Sequence, residues 1–213
     1  MWEFLVDRFN QILFSSWQHF SLVVQCLILA TLIAVGIAAL VYRSKGLTGV
    51  ANGISAVGLT IPSFALIGIL IAPFGFGVTP AVIVVTFFAA LPILRNAIVG
   101  LTGVERSLVE SARGIGMSRI STLLRVELPM AWPVILTGVR VSAQMVMGIA
   151  AITAYSLGPG LGGFIFTGLS RLGGANALNS VVVGVVAVII IAIILDLLLL
   201  VLGRLTTPRG IRV

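Results

Sequence analysis

Apolar runs dominate the chain, and nearly every charge falls in the gaps between them. Residues 20–42 carry no charge and are long enough to cross the roughly 30 Å hydrocarbon layer as one helix, stopped by Arg43 and Lys45. From residue 46 to residue 94 no charge occurs at all. That is too long for one crossing and suits two, with Pro73, Gly75, Gly77 and Pro80 marking the turn. The pattern predicts spans at about 50–72 and 79–98, with Arg95 near the end of the latter. Pro62 and Pro92 fall inside them, where kinks or irregular packing must make good the lost backbone bonds. Further spans are predicted at about 132–154 and 180–202, and the Gly- and Ser-rich stretch 155–179 reads as a loop or short re-entrant helices. Residues 1–18 alternate aromatics with polar groups, as suits the headgroup layer, in an interfacial helix or a loose lead-in.

Between the third and fourth apolar runs lies a charged, amphipathic island at residues 101–133 that cannot sit in lipid. Local chemistry predicts two short helices in it. Ser107 with Glu110 three residues later is a capping-box pattern that starts a helix near Leu108, and Gly114 and Gly116 supply the permissive backbone to end it. Ser118 caps a second helix, in which Ile120, Leu123 and Leu124 share a face, with Arg119, Thr122 and Arg125 off it and Pro129 and Pro133 bounding it. The expected product is a bent helix pair joined by a glycine turn, projecting into water towards a protein partner.

Composition settles the class. With 59% hydrophobic and 9% charged residues the chain is an all-α membrane protein of about five transmembrane helices, not a soluble domain. The net charge of +7 does not imply nucleic acid, because the arginines cap apolar runs instead of forming a basic face. Arg43, Lys45, Arg95, Arg106, Arg113, Arg119, Arg125, Arg204, Arg209 and Arg212 fall on one side of a five-span arrangement, against Arg8 and Arg171 on the other. The positive-inside rule then puts the charged island and the C terminus in the cytoplasm and the N terminus outside. Three regions follow: an interfacial segment 1–18, a membrane domain 19–203 and a basic cytoplasmic tail 204–213. The first long apolar run is too long and begins too late for a cleavable signal peptide.

Catalytic chemistry finds no footing. Cys26 is the only cysteine and His19 the only histidine, which rules out an internal disulfide or a zinc site built from Cys and His. Cys26 reads as a small packing residue and His19 as an interfacial polar tip. The single lysine, Lys45, stands outside any Walker A loop, and no nucleophile has an evident base, so neither ATP hydrolysis nor intramembrane catalysis is expected. Arg140 and Asp196 are ionisable groups within apolar spans, where a charge suggests function. Arg140 suits a structural role, snorkelling to the span's edge, or a pathway role. Asp196 suits pairing within the bundle or with Arg204 two turns on. Asn96, Gln144 and Thr153 complete the pathway candidates with Arg140.

Glu110-Ser111-Ala112, then Gly116, then Val126, Leu128 and Pro129 resemble the EAA loop of ABC-importer permeases in spacing throughout, with Ser111 in place of the first Ala. The blocks IPSFALIG (61–68), LPILRNAIVG (91–100), VERSLVESARGIGMS (104–118) and VELPMAWPVILTGVR (126–140) together look like permeases of compatible-solute importers for glycine betaine, carnitine, choline and related quaternary ammonium osmolytes. The resemblance implies a type I ABC importer transmembrane domain in the bacterial cytoplasmic membrane. It also implies a second permease copy or a related permease, cytoplasmic ATPase subunits that bind the ATP and Mg, and a separate external solute-binding protein carrying the aromatic cage. Glu110, Ser111, Ala112, Arg113, Gly114, Gly116, Met117, Ser118 and Arg119 would then couple to the ATPase. Alternatives are the same machine with an amino acid or ergothioneine-like cargo, or a channel or structural membrane protein.

Overall fold

A computed structural model describes residues 1–207. Helix α1 (Trp2–Asp7) breaks at Arg8 and α2 (Phe9–Val41) follows at once. The aromatic lead-in is thus no loose segment: it joins the first apolar run in a rod about 50 Å long at 1.5 Å per residue. Trp2, Phe9, Phe14 and Trp17 stay exposed on it, as suits rings at a headgroup boundary. Because α2 starts so early, His19 lies well inside a helix instead of at its tip. It is fully buried, its Nε2 3.2 Å from the Met147 carbonyl oxygen, which corrects the expectation of an interfacial residue.

The second predicted span is broken. Helix α3 (Lys45–Gly58) starts at a Ser44 cap that accepts from the Leu47 N–H, and α4 (Ser63–Phe74) leaves it at 93°. Pro62 causes the break. It lacks a donor, holds extended backbone as the residue before α4, and bars Ile61 from helical geometry. Gly75 and Gly77, both at positive φ, turn the chain into α5 (Val78–Thr102), whose first turn accepts Pro80 without loss of a bond. A short α6 (Arg106–Gly114) and α7 (Arg119–Thr122) form the polar elbow, and α8 (Leu128–Ile152) returns across the bundle. A 3₁₀ turn at Thr153–Ser156, α9 (Gly162–Ser170) and α10 (Ala177–Thr206) complete the described chain, so the Gly-rich stretch is partly helical. Four helical rods are long and apolar enough to cross a bilayer among the described residues, and the bent α3–α4 pair makes a fifth if it is one interrupted span.

Helix α5 is the centre of the packing, between α2, α3 and α8. Without a hydrophobic drive between helices in lipid, small residues decide where backbones meet. A Cβ on Gly138 of α8 would stand 2.6 Å from the Asn96 Cβ, and one on Gly100 of α5 would meet the Ala131 carbonyl oxygen at 3.0 Å. Gly168 and Gly184 close α9 against α10 in the same way. The cationic ends gather with the elbow. Arg43 reaches Glu127, and Trp132 Nε1 donates to Thr206 Oγ1 at 2.7 Å, which brings the C-terminal end of α10 to the start of α8. Arg209 and Arg212 lie outside the described residues.

Candidate functional site

The elbow is built around one glycine. Gly116 has φ +88°, its N–H donates to the Arg113 carbonyl at 2.9 Å, and the Met117 N–H donates to the Ala112 carbonyl at 3.1 Å. Those two bonds make a Schellman closure, with Ala112 as the third residue from the helix end and Gly116 as the first beyond it. The four-residue step from Ala112 to Gly116 is therefore a geometric requirement of the turn. Ala112 is buried beneath it. Glu110, Ser111, Arg113, Gly114 and Arg119 are exposed, Met117 is half-buried, and Glu110, Arg113 and Arg119 form no ion pair among the described residues.

The capping box between Ser107 and Glu110 does not form. Helix α6 begins at Arg106, so Ser107 already lies in the first turn and donates instead to Glu105 Oε1 at 2.6 Å. Ser118 does cap α7, accepting from the Ser121 N–H at 3.3 Å. Pro129 and Pro133 do not bound that helix. α7 runs through a π turn at Leu123–Glu127, closed by Leu128 N–H to Leu123 carbonyl, straight into α8. The wider turn gives the Pro129 ring room that an α turn would deny it. The expected apolar face is also turned about: Thr122 is buried with its hydroxyl on the Ser118 carbonyl, while Ile120 and Leu124 are exposed.

The π turn rotates Glu127 inward, to 3% exposure. Its Oε2 accepts from the Tyr42 hydroxyl at 2.6 Å and from Arg43 Nη2 at 3.1 Å, and Arg43 Nε donates to the Tyr42 oxygen at 2.6 Å. This triad ties the end of α2 to the root of the elbow. The motif does not point to it, because Glu127 stands at the unspecified position between Val126 and Leu128-Pro129. The available signal was that no other acid lies between Glu110 and Asp196. Val126, Leu128 and Pro129 are half-buried around it.

Of the pathway candidates, Arg140 meets Asp196 in a bidentate pair, Nε to Oδ1 at 2.9 Å and Nη2 to Oδ2 at 2.8 Å, with Gln144 Nε2 3.4 Å from Oδ1. Asn96 is half-buried against Gly138 and donates to the Pro92 carbonyl, and Thr153 is fully buried with its hydroxyl on the Ala150 carbonyl. Thr153 therefore has no open surface, whereas Asn96 keeps part of its own. Truncating Arg140 or Asp196 alone leaves the other charge unmatched in an apolar span, whereas removing both does not. A double-mutant cycle of thermal unfolding in detergent is expected to give a coupling energy of about 1–2 kcal/mol, modest because both groups are part-exposed. A coupling energy of zero would show the pair to be idle.

Residues 26–208 match the family model described as binding-protein-dependent transport system inner membrane component. The choline transport system permease protein OpuBB of Bacillus subtilis is 35% identical over 99% of this chain and 95% of its own length. The osmoprotectant import permease protein OsmW of Salmonella typhimurium is 36% identical over 99% and 98%. Among solved structures, an inward-facing MetNI methionine ABC transporter chain superposes with a TM-score of 0.79 at 19% identity, covering 92% of this chain and 96% of that one, which places the fold among ABC-importer permeases. The chain belongs to the inner-membrane permease family of binding-protein-dependent transport systems.

Proposed function

We propose that this chain forms the transport route of an ATP-driven importer for quaternary ammonium osmoprotectants, pairing with a second permease and receiving solute from an external binding protein. Hydrolysis falls to a cytosolic ATPase that holds ATP and Mg and grips the elbow, with the elbow and C terminus inside and the N terminus outside. The solute class is that in the names of the full-length relatives at about 35% identity. One observation carries the docking role. Ile115 is 81% exposed and Ile120 70% exposed on the same elbow, an apolar tip flanked by Arg113 and Arg119 that water alone does not suit. Nucleotide-driven closure of the ATPases would move α6 and α7, and the continuous rod from α7 through α8 would carry that motion into the membrane.

The test is reconstitution of the purified complex in proteoliposomes, with uptake of choline, glycine betaine and carnitine measured against ATP. Uptake of an amino acid or an ergothioneine-like betaine in their place would move the solute class. Ile115→Glu should reduce co-purification of the ATPase about tenfold, the equivalent of about 1.4 kcal/mol, while the permease still inserts. Unchanged co-purification would take the docking face elsewhere.

A further inference from the structure

One face of α8 is left open. Thr137, Val141, Gln144 and Gly148, and Tyr155 just beyond the helix, recur at steps of four, three, four and seven residues and are all exposed. At 100° per residue they form one stripe. A Cβ on Gly148 would meet nothing within 4 Å. Elsewhere α8 packs against α5, α10 and α2.

This stripe does not suit lipid. Arg140 stands eight residues beyond Trp132 and Asp196 ten residues before Thr206, so the ion pair lies roughly 12–15 Å along the bundle from the Trp132–Thr206 bond at 1.5 Å per residue. That is mid-depth in a layer of roughly 30 Å if Trp132 marks one boundary. There the Arg140 side chain is 36% exposed and Asp196 26% exposed, and the Gln144 amide beside them is open. Half-exposed charge at mid-depth faces water or protein, not hydrocarbon. Farther from the elbow the stripe ends in three rings from separate elements. Phe64 of α4 and Tyr155 have centroids 4.6 Å apart at 52°, and Tyr155 and Phe166 of α9 are 6.2 Å apart at 55°. Phe64 is 47% and Tyr155 53% exposed, so ring faces remain free. Free aromatic faces attract quaternary ammonium through the ring quadrupole.

We propose that this stripe is the solute-contacting wall of the transport route, with the open ring faces of Tyr155 and Phe64 receiving the ammonium group at the end away from the elbow and Gln144 meeting the solute at mid-depth. The inference rests on the osmoprotectant reading for the identity of the solute, but not for the position of the wall. The bidentate pair holds α10 against α8 and so positions Gln144.

The test uses the whole complex in proteoliposomes on a Cys26→Ser background. Gln144→Cys and Val141→Cys are exposed to a membrane-impermeant methanethiosulfonate carrying a trimethylammonium group, with Leu32→Cys on the apolar surface of α2 as the control. Modification of the two stripe positions about tenfold or more faster than the control, slowed during turnover, supports the wall; equal rates overturn it. Tyr155→Phe and Tyr155→Leu then test the ring. Choline uptake near wild type in the Phe variant and several-fold lower in the Leu variant, at equal amounts of assembled complex in the vesicles, supports the ammonium site. Equal uptake by the two variants overturns it. Wild-type uptake in the same vesicles separates the two levels: no uptake of any quaternary amine strikes the solute class, whereas normal uptake with an unmodified stripe strikes the wall alone.

Discussion

Replacing Gly116 with valine is expected to lower solute-stimulated ATP hydrolysis and uptake about tenfold or more while leaving the chain inserted in the membrane. The backbone at this position has φ +88°, where a β-branched side chain is a steric outlier. Strain of roughly 1–3 kcal/mol is as large as what the two bonds from Gly116 and Met117 to the end of α6 return, so the Schellman closure loses its net stability. Nothing around Gly116 lies within 4 Å of an added Cβ, which makes conformation the cause and rules out a clash with packing. Helix α6 then loses its fixed angle to α7, and with it the apolar tip at Ile115. Asparagine, which tolerates left-handed backbone, should retain most of the coupling. The measurement is ATP hydrolysis with and without loaded binding protein, alongside the amount of permease in the membrane. A valine variant with normal stimulation would separate the turn from coupling altogether.

What the sequence reveals of this fold follows the physics of each signal. Hydrophobic runs report the need to hide backbone in lipid, so the third and fifth spans at 79–98 and 180–202 fall inside α5 and α10, and the fourth at 132–154 follows α8 and runs two residues into the 3₁₀ turn. The same signal is blind to direction. Residues 50–72 carry no charge, yet Pro62 turns them through 93°, because hydropathy reads solvent and not geometry. In the elbow the spacing from Ala112 to Gly116 is legible, since one backbone turn ties the two residues together. The face of α7 is not, because Thr122 is buried where Ile120 and Leu124 stay exposed, and the π turn that follows takes later residues out of the 3.6 period and brings Glu127 inward. That Asp196 pairs within the bundle or with Arg204 is as far as the sequence reads; its partner Arg140, 56 positions away, is not legible, for register between helices is set by glycine contacts such as Gly138 on Asn96. His19 misled for a related reason: a polar residue at the edge of an apolar run marks a helix end only if the helix ends there.

Glu127→Ala should loosen the joint between α2 and the elbow, lowering thermal stability in detergent by about 1–3 kcal/mol and uncoupling hydrolysis from uptake. The side chain is 3% exposed and accepts from both Tyr42 and Arg43. Without it the Tyr42 hydroxyl, itself in a buried residue, keeps only its acceptor role towards Arg43 Nε. Arg43 is 37% exposed and turns to water, so the loss falls below the full cost of a stranded buried charge. The functional consequence is the larger one. The rod from Arg119 to Ser156 transmits elbow motion only if its root is fixed against the bundle, and Glu127 is the polar anchor at that root. Glu127→Gln keeps an acceptor for the tyrosine and loses the charge for Arg43, so it should fall between wild type and alanine on both measures. Tyr42→Phe removes the donor to Glu127 and the acceptor of Arg43 Nε, and should resemble the glutamine variant in stability. If alanine at 127 left the ratio of ATP hydrolysed to solute moved unchanged, the joint would serve assembly alone, and the stroke would have to enter the membrane through α5.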